Sequence, residues 1–180
     1  IICYNFIMYL SKLKQELKSL ASAPIGKKYS RFFKSGKGEY GEGDIFIGIR
    51  MGIIRQLAKK YSMLDISKIE KVLSSKIHEH RLTSLLILID KYQGGNEGLK
   101  KQIYSFYLKN TKYINNWDLV DISAPKIIGQ YLLDKSQKRK ILYKLAKSNN
   151  LWEKRIAILS TYTLTKINNL KILLKSLESY

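Results

Sequence analysis

Cysteine is almost missing from this 180-residue chain. The one present, Cys3, excludes an internal disulfide framework and a multi-cysteine zinc site, and reads as a small apolar residue. Proline occurs only at Pro24 and Pro125, which leaves long stretches free to be helical. No uncharged apolar run reaches the roughly 18–20 residues needed to cross a bilayer. Alternating, strand-like runs are scarce, and Asp44–Arg50 (DIFIGIR) is the one tempting case. Acidic residues are the last shortage: fourteen Asp and Glu stand against thirty-three Lys and Arg, a formal net charge of +19.

The excess is spread along the chain. The first ninety residues hold sixteen basic and eight acidic side chains, the last ninety seventeen and six. That distribution differs from a basic tail on a neutral body. It points to a polyanionic partner, nucleic acid ahead of an anionic membrane surface. Compositional drift accounts for Lys over Arg but not for the shortage of acids. The length suits one domain or one compact array of repeats, with a real core.

Helical spacing recurs throughout. Leu82, Leu85, Leu86 and Ile89 fit i, i+3, i+4, i+7, as do Leu170, Leu173, Leu174 and Leu177. Ile1–Leu10 is apolar and Ala21-Ser22-Ala23 looks like a cleavage site, but Lys12, Lys14, Glu16 and Lys18 lie between them. Leu10, Leu13, Leu17 and Leu20 instead predict an amphipathic first helix, hence a cytoplasmic protein. Short breaks fall at Gln93–Asn96, Asn115-Asn116, Ala124-Pro125, Asp134–Ser136 and Ser148–Asn150. The spacing predicts roughly ten helices of about 8–18 residues. The expected fold is all-α: an α-solenoid of HEAT-like antiparallel helix pairs, one domain over residues 1–180.

Lys34–Gly43 (KSGKGEYGEG) is the longest irregular stretch. A phosphate-cradling loop would need Ser or Thr where Gly38 stands, so a nucleotide site is rejected. A basic loop beside a polyanion and a plain connector both stay open. His78-Glu79-His80 lacks metal-ligand spacing and reads as surface or helix-start residues.

Two segments carry the chemistry. In Ile114–Asp121 (INNWDLVD), Asn116 can cap a helix starting at Trp117, with Asp118 in the favourable first turn. Trp117 and Asp121 then share a face. In Asn150–Ile158 (NLWEKRIAI), Asn150 and Glu153 are spaced as a capping box, and Trp152 and Arg155 share a face. Packing tryptophans and an ion pair between helices are the plainer alternative.

With those motifs in view, the chain resembles the DNA alkylation repair family of HEAT-like DNA glycosylases. The likeness runs through Phe32–Arg50, His78–Tyr92, Ile114–Ala124 and Leu151–Thr161 in order. It implies removal of cationic N-alkylated purines, such as 3-methyladenine and 7-methylguanine, from double-stranded DNA by a monomer. It also implies catalytic roles for Trp117, Asp121 and Arg155, and no metal or organic cofactor. No role transfers to Trp152. The chain would be cytoplasmic and nucleoid-associated when bound to DNA. Two departures stand out: Met51-Gly52 sits where the family usually has proline, and no residue matches the further cleft tryptophan of the family's terminal repeat. A non-catalytic binder of DNA structures and a protein-interaction scaffold are the alternatives.

Overall fold

A computed structural model describes residues 2–177, with side-chain surroundings for residues 9–166. Cys3 and the leucines from Leu170 to Leu177 therefore fall outside the described side chains. The architecture is all-α. In chain order the helices are α1 (Ile2–Ser19), α2 (Ala23–Phe32), α3 (Met51–Lys60), α4 (Ile66–Leu73), α5 (His78–Gly94), α6 (Glu97–Lys109) and α7 (Trp117–Ala124). A π turn (Pro125–Gly129) leads into the short α8 (Gln130–Leu132), followed by α9 (Lys140–Ala146) and α10 (Leu151–Leu177). Among the described residues, the strand-like DIFIGIR is irregular backbone, with a left-handed turn at Gly48 and one isolated parallel bridge, Ile45 to Ile77. No helix is long and apolar enough to cross a membrane, again among the described residues.

α5 is the centre. α1, α3, α4, α6 and α7 pack on it, and α10 continues the row by packing on α7 and α9. Residues His78 to Ile89 of α5 are all buried, so it has no solvent face over that length. Leu13 and Leu17 of α1 are fully buried, whereas Leu20 lies beyond the helix end and is exposed. The Gln93–Asn96 break is a helix-to-helix junction: Gly95 follows α5, and Asn96 caps α6 by accepting from the Leu99 amide at 2.9 Å.

Two expectations change. Ala124-Pro125 does not end a helix. Pro125 has no N–H to donate, and the chain absorbs that loss by widening into the π turn. Thr163 of α10 donates to the Pro125 carbonyl at 3.2 Å, which helps satisfy the altered ladder. The helix lengths also spread wider than 8–18 residues, from three in α8 to twenty-seven in α10.

The irregular segment before α3 is held by one carboxylate. Glu79 Oε1 accepts from the Gly48 amide at 2.7 Å and the Ile49 amide at 3.4 Å; Oε2 accepts from the Ile47 amide at 3.1 Å. Gly48 has φ +79°, and a Cβ there would run into Ser22 O and Gly26 N of the α2 start. Only glycine lets α2 approach so closely. Replacing Glu79 by Ala would strand buried amides as well as remove charge-assisted bonds. Glu79→Ala is expected to cost more than about 3 kcal/mol in urea unfolding, and Glu79→Gln, which keeps one acceptor oxygen, a smaller amount.

Candidate functional site

The starts of α5, α7 and α10 meet at one edge of the molecule. α7 begins where Asn116 Oδ1 accepts from the Trp117 amide at 2.8 Å. α10 begins where Asn150 Oδ1 accepts from the Trp152 amide at 2.9 Å. The expected capping box is only half made, because Glu153 instead accepts from Thr111 Oγ1 at 2.7 Å.

These starts bring Asp121 and Arg155 together. Arg155 Nε donates to Asp121 Oδ1 at 2.6 Å and Nη2 to Oδ2 at 2.8 Å, a bidentate fork. The hydrogen bond raises the Arg155 guanidinium above its ordinary value. The pair is partly open to solvent, at 41% and 38% side-chain exposure. Arg155 lines a groove of about 560 Å³ together with Trp117, Trp152 and Tyr40. Trp117 is half-buried and Trp152 buried.

The groove's aromatic wall was not foreseen. Trp117 stacks on Phe33 with ring centroids 5.2 Å apart, and meets Phe32 edge-on at 5.9 Å. Its indole N–H donates to the Tyr40 hydroxyl at 3.2 Å, and the Tyr40 ring lies edge-on to Trp152 at 5.8 Å. Tyr40 thus bridges the two tryptophans. It comes from the glycine-rich Lys34–Gly43 stretch, whose acids hold its turns: Glu39 accepts from the Gly36 amide at 2.7 Å and Glu42 from the Gly38 amide at 2.8 Å. Gly41 sits against the Phe33 carbonyl and the Asn116 side chain, where no Cβ would fit. The only advance signal was a tyrosine placed among glycines.

Beneath the wall lies a buried ionic cluster at His78–His80, which the sequence read as surface or helix-start residues; they do start α5, but not at the surface. All three are buried. His78 donates from Nε2 to Asp118 Oδ2 at 2.8 Å and from Nδ1 to Asp44 Oδ2 at 3.2 Å. Arg81 lies 2.7 Å from the same Asp44 oxygen. Asn116 adds a hydrogen bond to it at 3.3 Å. Asp118 therefore serves as a partner for a buried imidazolium, beyond any effect on the helix dipole. Burial alone would lower the His78 pKa, but the hydrogen bonds to Asp118 and Asp44 outweigh it and raise the value. Burial likewise opposes charge on Asp44, but His78 and Arg81 hold its carboxyl below the ordinary value. His80 has no carboxylate beside it, and burial pushes it down to about 4.

The signs follow by linkage. The share from His78 is fully present below its ordinary 6.5 and drains as pH rises through the higher folded value. The share from Asp44 is present above its ordinary 3.8 and is lost as pH falls through the lower folded value. The His78 share should thus be greatest below 6.5 and fall as pH rises beyond it, while His80, pushed down to about 4, withdraws stability as pH falls from 6.5. Followed by NMR, the His78 midpoint should lie above 6.5 and move down in Asp118→Asn. The same variant should lose more melting temperature in mild acid than in alkali.

Among the described residues, no group of three His, Cys, Asp or Glu is placed to hold a metal ion. A comparison with curated proteins returned no match. The model of one protein family, described as DNA alkylation repair enzyme, matches residues 13–180. That span takes in α2 to α10 with both tryptophan motifs and the carboxylate–guanidinium pair, and the chain belongs to the DNA alkylation repair enzyme family.

Proposed function

We propose that this protein is a DNA glycosylase that removes cationic N-alkylated purines, 3-methyladenine and 7-methylguanine among them, from duplex DNA. The observation that carries the reading is the partly open Asp121–Arg155 fork beside a groove walled by Trp117, Tyr40 and Trp152, in a chain of net charge +19.

N-alkylation makes the purine a good leaving group, because it departs neutral. Little general acid is then needed. What matters is stabilising the electron-poor sugar and placing a water. Asp121 does not line the groove itself but, held by the groove-lining Arg155, supplies an anionic oxygen beside it. Both of its oxygens accept from Arg155, and each keeps a further lone pair for a water or for the developing positive charge. Arg155 fixes the carboxylate's orientation, and a DNA phosphate beside the lesion would compete for the same fork. The Trp117 face offers a surface for deoxyribose or for the cationic base, a contact worth on the order of 0.5–2 kcal/mol. The lysine-rich surface supplies affinity that is independent of sequence and falls with salt.

Duplex DNA carrying 7-methylguanine should release free base when incubated with the protein. Asp121→Asn should slow that release by roughly 100-fold or more while duplex binding stays nearly intact. Normal release by this variant would remove the assigned chemistry. The closed Arg155 fork favours one other reading, a DNA-structure binder that does not cut. Its signature is salt-sensitive binding to duplex or branched DNA with no base released.

A further inference from the structure

Tyr40 is an exposed side chain engaged at both ends. It is 44% exposed, yet its hydroxyl accepts from the Trp117 indole N–H at 3.2 Å and its ring lies edge-on to the buried Trp152 at 5.8 Å. The backbone that carries it is pinned on both sides. The Gly41 amide donates to the Lys34 carbonyl at 2.9 Å, and the Asp44 amide donates to the Gly41 carbonyl at 3.1 Å. The second bond ties the stretch directly to the buried ionic cluster.

The turns that achieve this are unfavourable in themselves. Gly38 and Gly43 take φ +78° and +87°, which glycine tolerates, but Lys34 takes φ +52° with a full side chain. A ring left nearly half exposed gains too little apolar burial to offset that. Backbone strain that packing does not offset points to use of the side chain it presents.

The Trp117 indole is what Tyr40 controls. Phe33 stacks on it and Phe32 meets it edge-on. Aromatic contacts of this kind are broad, and a ring can slide or turn against them at small cost. A hydrogen bond is directional. Among the described residues the Tyr40 hydroxyl is the acceptor that the indole N–H has. It sets where in its own plane the indole stops, and so which part of the ring the groove sees beside Arg155.

We propose that Tyr40 is a positioning residue of the groove: acting through the Trp117 indole, it fixes the surface on which the sugar or base of the damaged nucleotide is laid. That the occupant is a damaged nucleotide rests on the glycosylase reading; the fixing of the indole does not.

Tyr40→Phe tests this, because it keeps the ring edge on Trp152 and removes only the acceptor for Trp117. The chain has two tryptophans, so nitrogen-labelled protein gives two indole N–H signals, which Trp152→Phe tells apart. In Tyr40→Phe the order parameter of the Trp117 N–H should fall from a rigid value of about 0.85 towards about 0.6, while that of Trp152 and the melting temperature hold. Release of 7-methylguanine at saturating protein should slow about tenfold with duplex affinity little changed. In a Trp117→Phe background, which has no indole N–H, adding Tyr40→Phe should slow release no further. A role confined to loop stability would slow it in both backgrounds.

An unchanged Trp117 order parameter, release at the wild-type rate, or equal slowing in the Trp117→Phe background would each overturn the proposal. If the wild-type protein releases no base while Tyr40→Phe loosens the Trp117 signal, the glycosylase reading falls and the positioning of Trp117 stands. If wild type and Tyr40→Phe release base equally fast, the glycosylase reading stands and the role of Tyr40 falls.

Discussion

The structure depends on a small set of charges taken out of water. Asp44 and Asp118 hold His78 between them, Arg81 supports Asp44, and Glu79 gathers three amides of the preceding irregular segment. Buried charges are costly unless paired and hydrogen-bonded, and here nearly every oxygen has a partner. Because the members come from the irregular segment, α5 and α7, the cluster fixes those pieces relative to one another. An apolar contact could slide by a fraction of a turn. A forked set of short hydrogen bonds cannot.

That rigidity matters for the groove above it. Asp118 and Asp121 lie three residues apart on α7, so the helix that supplies a buried partner to His78 also supplies the exposed partner to Arg155. Phe33 stacks on Trp117 on one side and near His78 on the other. Groove wall and ionic floor therefore form one stack. Tyr40 closes it by reaching Trp117 with its hydroxyl and Trp152 with its ring edge. Family membership is shared by the whole span from residue 13 onward, but the chemistry proposed depends on this edge alone.

Much of the architecture was legible in the sequence. Leu82, Leu85, Leu86 and Ile89 read as a helix face and are buried in α5. Asn116 read as a cap and is one. The pairing of Asp121 with Arg155 was less accessible, since residues thirty-four apart reveal nothing about their distance until α7 and α10 pack. His78–His80 was rightly legible as a helix start, but not as buried, because polar side chains usually face water and the partners of His78 and Glu79, namely Asp44, Asp118 and the 47–49 amides, lie far away in sequence. The Lys34–Gly43 stretch stayed open between a connector and a basic loop beside a polyanion. Its glycines gave no shape, and Glu39 and Glu42 fold it into a platform for Tyr40 through local bonds that no periodicity reports. Pro125 read as a stop because proline breaks an ordinary ladder, and a wider turn was not anticipated.

The π turn at Pro125–Gly129 has an effect on phase. One extra residue in the coil rotates everything after it by about 100° relative to a continuous α-helix. Ile127, Ile128, Tyr131 and Leu132 are all turned inward, while Asp121 upstream stays partly open beside Arg155. The irregularity works as an angular gear that sets the buried side of α7, Leu119, Val120 and Ser123, against that of the run after it. Shortening the chain there by a single residue would leave the two runs unable to face their present neighbours at the same time.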